Sequence, residues 1–382
     1  MTIPFTLSPR LTLGVEVELQ LLDPRTHDLG PFAPSLFERI GESKRIKPEI
    51  FQSMVEINTE ICESAADVRR DLAESIAALR AQAAEIGFLL GASGSHPFAS
   101  WEERVPYPSE RYEMLMDRNR WIARRLAIFG LHVHVGVRDG RHAVGMINRL
   151  LPWLPHLLAL SANSPFWRGH DTGLASSRAT VFEAQPTAGH PCVIASWSEF
   201  EAYFEAAKAC RAITGIKDIW WDIRPQPDYG TIELRICDVP STLTEIVALV
   251  ALVHAMAHHS DRELRKKNVF RPQTDWVTRE NKWRALRWGL DAECVLDAAG
   301  AHRPMREDLA AILAKLDPIA RDLGTQPEFD VIRHVVEAGP GCVRQRAEFA
   351  ATGSSEAVAR RIVADFEGDC WRRATAPAPP RS

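Results

Sequence analysis

Two glutamates two residues apart could bind a cation. Glu16 and Glu18 lie in the stretch LTLGVEVELQLL, alternating with Val15 and Val17. This alternation predicts a β-strand over residues 11–22 with both carboxylates on one face. Neighbouring carboxylates on an apolar strand repel each other and resist burial, and a divalent metal would relieve both effects. The alternative is the solvated face of an edge strand.

Two other stretches repeat this spacing. GLHVHVGV places His132 and His134 on one strand face, TIELRIC places Glu233 and Arg235 on another, and Glu56 lies within the apolar stretch VEI. Each pair taken alone is typical of a polar strand face or of a neutralising ion pair. If the strands are neighbours in one sheet, that face becomes a cup of oxygen and imidazole ligands, which suits Mg²⁺ or Mn²⁺ better than Zn²⁺.

Metals of this kind most often hold phosphates and neutralise charge during phosphoryl transfer. The sequence contains neither GxxxxGK(S/T) nor GxGxxG, the glycine-rich loops that commonly cradle phosphates. Arginines would then share this task with the metal, because the guanidinium fork binds phosphate and carboxylate through two parallel hydrogen bonds. The candidates are Arg168, Arg178, Arg224 and Arg235.

Composition disfavours several other functions. The 382-residue chain is 46% hydrophobic and carries a net charge of −4, which gives no electrostatic case for nucleic-acid binding. Seven scattered cysteines without a CxxC pair disfavour a zinc cage or a disulfide framework. The N-terminus lacks a signal-peptide pattern, and the longest apolar run, residues 246–257, is too short to span a bilayer. We therefore predict a cytoplasmic protein with no membrane partner.

Periodicity places the candidate residues on predicted elements. Strands are predicted at residues 11–22, 50–61, 88–95, 130–137, 219–224 and 231–237. Helices are predicted at residues 64–86, 109–129, 142–161, 198–212, 242–259, 280–289, 306–316, 328–337 and 355–373. Pro152 and Pro155 should break the third helix. Capping boxes at Ser198 with Glu201 and at Thr242 with Glu245 are expected to open the fourth and fifth helices.

This order of elements favours the α+β class over a doubly wound α/β fold. Residues 1–373 are expected to form a single catalytic domain, with a sheet-bearing core over about 10–240 and a helical C-terminal part over about 241–373. The tail, residues 374–382, is expected to be disordered. Residues 163–190 show little periodicity and are predicted to form a long loop, and a loop of that length inside a compact chain is usually functional or disordered.

Six segments resemble the bacterial carboxylate–amine ligases of the glutamate–cysteine ligase type 2 group, relatives of glutamine synthetase. They are GVEVELQLLDP, VEINTEICES, GLHVHVGV, SPFWRGHDTGLASSRATVFEAQPTAG, WWDIRPQPDYGTIELRICD and ENKWRALRWGLDA. The resemblance implies a curved antiparallel sheet that forms a funnel with flanking helices, like the catalytic domain of glutamine synthetase. It also implies that ATP phosphorylates a carboxylate and that an amine then attacks the acyl phosphate.

The resemblance further implies roles for individual residues. The ligands of Mg²⁺ or Mn²⁺ would be Glu16, Glu18, Glu56, Glu63, His132 and Glu233. Arg235 would contact the transferred phosphate, and Arg178 and His134 would complete the catalytic set. Substrate and nucleotide would be bound by Arg168, Arg178, Arg224, Arg235, Asn281 and Arg284.

The leading functional hypothesis is therefore a ligase that joins the γ-carboxylate of glutamate to the amine of cysteine, with ATP and Mg²⁺ as cofactors. Three alternatives stay open. The first is the same chemistry on another amino acid or amine, the second a phosphotransferase similar to guanidino kinases, and the third a non-catalytic metal-binding protein. A homodimer is expected only because it is the commonest oligomer.

Overall fold

A computed structural model describes residues 3–266 and 273–369. Its strands are β1 (Leu13–Leu22), β2 (Ile46–Pro48), β3 (Met54–Asn58), β4 (Leu89–Gly91), β5 (Gly130–Gly136), β6 (Phe166–Trp167), β7 (His170–Asp171), β8 (Ala188–Gly189), β9 (Trp220–Trp221), β10 (Ile223–Gln226), β11 (Thr231–Asp238), β12 (Glu293–Val295) and β13 (His302–Pro304). Seven of them form one antiparallel sheet in the order β10-β11-β5-β1-β3-β2, with β4 paired to β1. All seven lie between Leu13 and Asp238.

Helices flank this sheet. They are α1 (Ala33–Ile40), α2 (Ala65–Ile86), α3 (Glu110–Asn119), α4 (Trp121–Arg124), α5 (Gly140–Leu150), α6 (Leu154–Ser161), α7 (Ser177–Glu183), α8 (Trp197–Ala209), α9 (Leu243–Arg265), α10 (Asp275–Trp288), α11 (Met305–Leu323), α12 (Gln326–Ala338), α13 (Gly341–Thr352) and α14 (Ser355–Gly368). The prediction of an α+β fold built on an antiparallel sheet with flanking helices is confirmed.

The central strand β1 has two chemically different faces, as its alternation predicts. Val15, Val17 and Leu19 are buried in the main apolar core, which also contains side chains of α2 and α9. Glu16 and Glu18 project from the opposite face. One face of the sheet is thereby fixed against helices, which leaves the carboxylates on the other.

Helix α9 is buried on every side over residues 244–257, where other elements enclose it. It packs against α2, α5, α11 and α12, and Thr242 accepts the backbone N–H of Glu245 at its start, as predicted. Of the helices described, it is the one whose length and composition would allow it to cross a membrane, but 83% of its most apolar window is buried inside the protein. This burial identifies α9 as a core helix.

Several predicted boundaries differ from the structure. β3 covers only Met54–Asn58 of the strand predicted over 50–61, because β2 and β3 form a hairpin whose turn occupies residues 49–53. The helix predicted over 109–129 is divided into α3 and α4 at Arg120, whose φ of +47° cannot continue a helix. The helix predicted over 142–161 is broken into α5 and α6 where Pro152 and Pro155 stand, as expected.

The capping box predicted at Ser198 with Glu201 is wrong. The hydroxyl of Ser196 accepts the backbone N–H of Glu199, and the Glu199 carboxylate accepts the N–H of Ala195. The sequence SWSEFE fits the capping pattern in both registers. The observed one directs Phe200 into a separate small apolar cluster.

Periodicity alone missed elements in three regions, of which the first, residues 33–48, contains α1 and β2. Residues 163–190, predicted to form a loop, contain β6, β7, β8 and α7, and the C-terminal third contains the hairpin β12–β13 and the helix α13. These elements are short or satisfied by polar contacts, so they leave a weak apolar pattern. The last predicted helix ends at Gly368 within the described chain, and its predicted continuation to 373 and the tail 374–382 lie outside the described residues.

The buried face of β1 should dominate stability. Leu19 is fully buried, so Leu19→Ala should lower the free energy of unfolding by about 2–5 kcal/mol. Leu7→Ala is the matched control, because Leu7 is 70% exposed and its truncation should cost less than about 0.5 kcal/mol. Chemical denaturation of both variants measures the difference, and equal losses would contradict this account of β1.

Candidate active site

Strand register brings the Glu16–Glu18 pair together with His132 and Glu56. Glu16 on β1 lies opposite His132 on β5, and Glu18 lies opposite Glu56 on β3. Because side chains alternate with a period of two along each strand, all four project from the same face of the sheet. The backbone N–H of Gly130, at the start of β5, donates to Glu18 Oε2 at 2.6 Å.

A second row of polar residues runs across the neighbouring strands. His134 on β5 lies opposite Glu233 on β11, which in turn lies opposite Arg224 on β10. The register of β11 shifts between Leu234 and Cys237, and Arg235 lies within this irregular stretch. Such an irregularity redirects a side chain, and Arg235 Nη1 lies 3.5 Å from His132 Nδ1.

These residues surround one cavity of about 430 Å³ on the polar face of the sheet. Seven predicted site residues line it: Glu16, Glu18, Glu56, His132, Arg178, Arg224 and Arg235. His134 and Glu233 are buried beside them, with 6% and 1% of each residue exposed. The structure therefore assembles nine of the residues that the sequence suggested.

Glu233 is held ionised by its neighbours. Arg224 donates to both of its carboxylate oxygens, at 2.8 and 3.2 Å, and Arg235 Nη1 forms a further ion pair with Oε1. Gln226 Nε2 adds a hydrogen bond of 3.1 Å. Burial alone would raise the pKa of Glu233, but Arg224, Arg235 and His134 outweigh it and lower the pKa well below its usual value.

Glu16 is stabilised in a similar way by imidazoles. His132 Nδ1 lies 3.0 Å from Glu16 Oε2, and His134 Nε2 lies 3.3 Å from Oε1. Burial opposes ionisation here too, yet the contacts with His132 and His134 hold the pKa of Glu16 well below its ordinary range. Burial together with Arg235 lowers the pKa of His132 to about 4.

Three other carboxylates in the same cavity are not neutralised to this degree. Oxygens of Glu18, Glu49 and Glu56 lie within 4.8 Å of one another. Burial raises the pKa of all three, most strongly for Glu49, where Glu56 and Glu18 add repulsion. Arg178 offsets only part of this effect at Glu18, and Lys47 lies 3.7 Å from Glu56.

This unbalanced negative charge fits a divalent cation. Glu18, Glu49 and Glu56 offer only oxygen ligands, the type that Mg²⁺ and Mn²⁺ prefer. A second group of ligand atoms within 4.8 Å of one another comprises Glu16, His134 and Glu233. That group already has cationic partners. The three carboxylates whose pKa is raised, Glu18, Glu49 and Glu56, are therefore the better candidates for a metal site.

Arg178 reaches the cavity from α7, inside the segment predicted to be a loop. Its guanidinium donates to the backbone carbonyl of Arg235 at 3.3 and 3.4 Å. Phe182, one turn further along α7, has the guanidinium carbons of Arg178 and Arg235 at 5.6 and 5.7 Å from its ring centre. The aromatic ring thus holds two guanidinium groups at the same wall of the cavity.

Four predicted site residues lie elsewhere. Glu63 follows the end of β3 and pairs with Arg10 at 2.7 Å, with 62% of its side chain exposed. Arg168 lies in the turn between β6 and β7, is 47% exposed and pairs with Glu102. Neither residue lines the cavity, so the predicted ligand role of Glu63 and the predicted substrate role of Arg168 do not fit this arrangement.

Asn281 and Arg284 lie outside the cavity and join α10 to neighbouring backbone. Asn281 exchanges two hydrogen bonds with the backbone of Val295, at 2.7 and 2.8 Å, and so joins α10 to β12. Arg284 pairs with Glu280 at 2.7 Å and donates to the carbonyl of Glu293. Both are absent from the residues that line the cavity, which does not support their predicted nucleotide-side role.

Sequence reasoning missed the wall formed by the β2–β3 hairpin. Glu49 lies in its turn, where no strand period marks which way a side chain points. Lys47, Arg111 and Tyr112 also line the cavity, as does Trp220 at its other side. The one signal available was the run KPE directly before the apolar segment of β3.

Comparison with known proteins agrees with this geometry. The family model described as glutamate–cysteine ligase family 2 matches residues 12–363. A provisionally named glutamate–cysteine ligase 2 of Bdellovibrio bacteriovorus is 45% identical over 96% of this chain and 97% of its own length. A protein of the same name in Thermobifida fusca is 41% identical over 99% of this chain and 95% of its own length.

Solved structures of low sequence identity share the fold. The glutamate–cysteine ligase of Francisella tularensis in complex with AMP has a TM-score of 0.65 at 11% identity, covering 96% of this chain and 91% of that one. A bifunctional glutathione synthetase from Pasteurella multocida has a TM-score of 0.62 at 13% identity, covering 95% of this chain and 53% of that one. On the family match and on the identity to its relatives over nearly the whole length, the chain belongs to glutamate–cysteine ligase family 2, and the prediction of an ATP-dependent ligase is confirmed.

Proposed function

We propose that this ligase joins a carboxylate to an amine through an acyl-phosphate intermediate, with the γ-carboxylate of glutamate and the amine of cysteine as its substrates. The observation that supports this most is the composition of one cavity, in which four glutamates and four arginines form the lining and a fifth glutamate, Glu233, is buried beside them. Phosphoryl transfer between two anions requires charge neutralisation above all, and such a cavity supplies sites for cations on one side and fixed guanidinium groups on the other.

Divalent metal would be held by Glu18, Glu49 and Glu56, whereas Glu233 of the second group already pairs with Arg224 and Arg235. A bound Mg²⁺ supplies charge neutralisation for the phosphates of ATP. The protein's own contribution is to keep these ligands preorganised. Asn58 donates to Glu56 at 2.8 Å and Gly130 donates to Glu18, so each carboxylate retains an oxygen lone pair for a cation while its orientation is fixed.

Arg235 and Arg178 are proposed to stabilise the transferred phosphoryl group. Arg235 is anchored by Glu233 and Arg178 by the carbonyl of Arg235, so neither guanidinium needs to reorganise when negative charge develops. Arg224 is enclosed by Glu233 and by the carbonyl of Ile219, which gives it a supporting role beneath the cavity. His134 is fixed by Thr231 at 3.0 Å and contacts Glu16, which suits a residue beside phosphate or substrate.

Glu49 and Glu63 form a discriminating pair of variants. Glu49→Gln should raise the Mg²⁺ concentration that half-saturates ATP turnover by at least about ten-fold, because it removes one of three clustered carboxylates. Glu63→Gln is the matched control and should leave turnover unchanged, since Glu63 pairs with Arg10 at the surface. Titrating Mg²⁺ against ADP release measures both. The reverse pattern would contradict the placement of the metal.

Arg235 and Arg168 test the phosphate wall in the same way. Arg235→Lys should lower kcat by about 10²-fold, because an ammonium cannot reproduce the guanidinium fork at Glu233 and the phosphate. Arg168→Lys should change kcat little, as Arg168 lies outside the cavity. A near-normal rate in Arg235→Lys would remove that residue from the proposal.

The substrates themselves are tested by ADP and phosphate release. With ATP, Mg²⁺ and glutamate, we expect cysteine to stimulate stoichiometric formation of ADP, inorganic phosphate and an amide. A panel of other amino acids and amines in place of cysteine tests the same chemistry on a different acceptor. ADP formation without inorganic phosphate would instead indicate a phosphotransferase, and no stimulation by any pair would contradict the proposed substrates.

A further inference from the structure

A third group of metal-binding atoms lies outside the cavity, between three elements of the helical part. His156 of α6, Cys294 of β12 and Asp308 of α11 each offer one ligand atom, all within 4.8 Å of one another. His156 Nε2 lies 2.8 Å from Asp308 Oδ2 and 3.8 Å from Cys294 Sγ. Ligands about 2.0–2.3 Å from one tetrahedral zinc ion stand roughly 3.2–3.8 Å apart, so the Cys294–His156 distance already fits and the His156–Asp308 distance would widen by a few tenths of an ångström.

A second sulfur atom lies beside the group. Met305 Sδ lies 3.4 Å from Cys294 Sγ, and Met305 is fully buried. Met305 and Asp308 are three residues apart on α11, so both side chains project from one side of its first turn. A thioether is a weak hydrogen-bond acceptor, so this contact gives the thiol little stabilisation of its own.

The group is largely buried, and its carboxylate is oriented by a further contact. His156 is 4% exposed and Cys294 is 1% exposed, while the Asp308 side chain is 17% exposed and gives an ion access from solvent. Asp308 Oδ1 accepts a hydrogen bond of 2.8 Å from Arg303, which fixes the carboxylate and leaves Oδ2 directed at His156. Such second contacts commonly orient metal ligands.

We propose that His156, Cys294 and Asp308, with Met305 beside them, bind one Zn²⁺ or another thiophilic divalent cation. A thiolate and an imidazole favour zinc, whereas the all-oxygen group of Glu18, Glu49 and Glu56 favours Mg²⁺, so the two sites would not compete for the same ion. Binding transfers the thiol proton of Cys294 to solvent. The bound ion would link α6, β12 and α11 and add its binding free energy to the stability of the folded chain.

Cobalt substitution tests this site without interference from the cavity. The metal-free full chain is titrated with Co²⁺ in excess Mg²⁺, which occupies the oxygen-rich ligands. We expect a thiolate-to-cobalt charge-transfer band that saturates at one equivalent and is displaced by Zn²⁺. The band should be lost in Cys294→Ser and retained in Cys342→Ser, the matched control, because Cys342 is an equally buried free thiol.

A second variant keeps the thiol and changes only another ligand. His156→Gln should weaken Co²⁺ binding by at least about ten-fold while Cys294 remains present. Zn²⁺ should also raise the Tm of the wild-type chain but not that of Cys294→Ser. The absence of a thiolate band, or a band unaffected by Cys294→Ser, would overturn the proposal and leave His156, Asp308 and Arg303 as an ion-pair cluster.

Discussion

Negative charge buried on one face of an antiparallel sheet is the constraint on which this structure depends. Glu16 and Glu233 are balanced by imidazoles and guanidinium groups, which lower the pKa of each. Glu18, Glu49 and Glu56 are not balanced to this degree, and burial raises the pKa of each. A buried carboxylate whose charge is only partly balanced favours a bound proton or cation. The folded chain therefore carries a requirement for a proton or a cation at these three carboxylates.

Strand register turns this requirement into geometry. Side chains alternate exactly along a strand, so pairs two residues apart must share a face, and antiparallel pairing then sets them opposite one another. A shift of β1 by one residue would turn Glu16 and Glu18 into the apolar core and Val15 and Val17 out of it. The apolar core on one face thus fixes the position of the charged groups on the other.

The same reasoning shows which parts of the site are predictable from sequence. The pairs on β1, β5 and β11 follow from alternation, and the α+β class follows from the order of strands and helices. Glu63 was suggested by the family resemblance alone, and because the chain leaves β3 at Asn58, its side chain lies at the surface beside Arg10 and not on the polar face of the sheet. Glu49 was missed because it lies in a turn between two strands, where position depends on tertiary packing and has no period.

The position of Arg178 could not be predicted from periodicity either, because it depends on polar contacts that leave no repeating pattern in the sequence. Asp238, at the end of β11, accepts hydrogen bonds from the hydroxyls of Ser164 and Ser176 at 2.6 and 2.8 Å. Ser164 in turn accepts the backbone N–H of Arg178, and Ser176 caps α7. A carboxylate buried behind the sheet thereby orders a segment without apolar periodicity and directs its arginine at the cavity. Strand β11, which contributes Glu233 and Arg235, thus also holds Arg178 in place through Asp238 and the carbonyl of Arg235. Both the order of the segment 163–190 and the charge of the cavity therefore depend on this one strand.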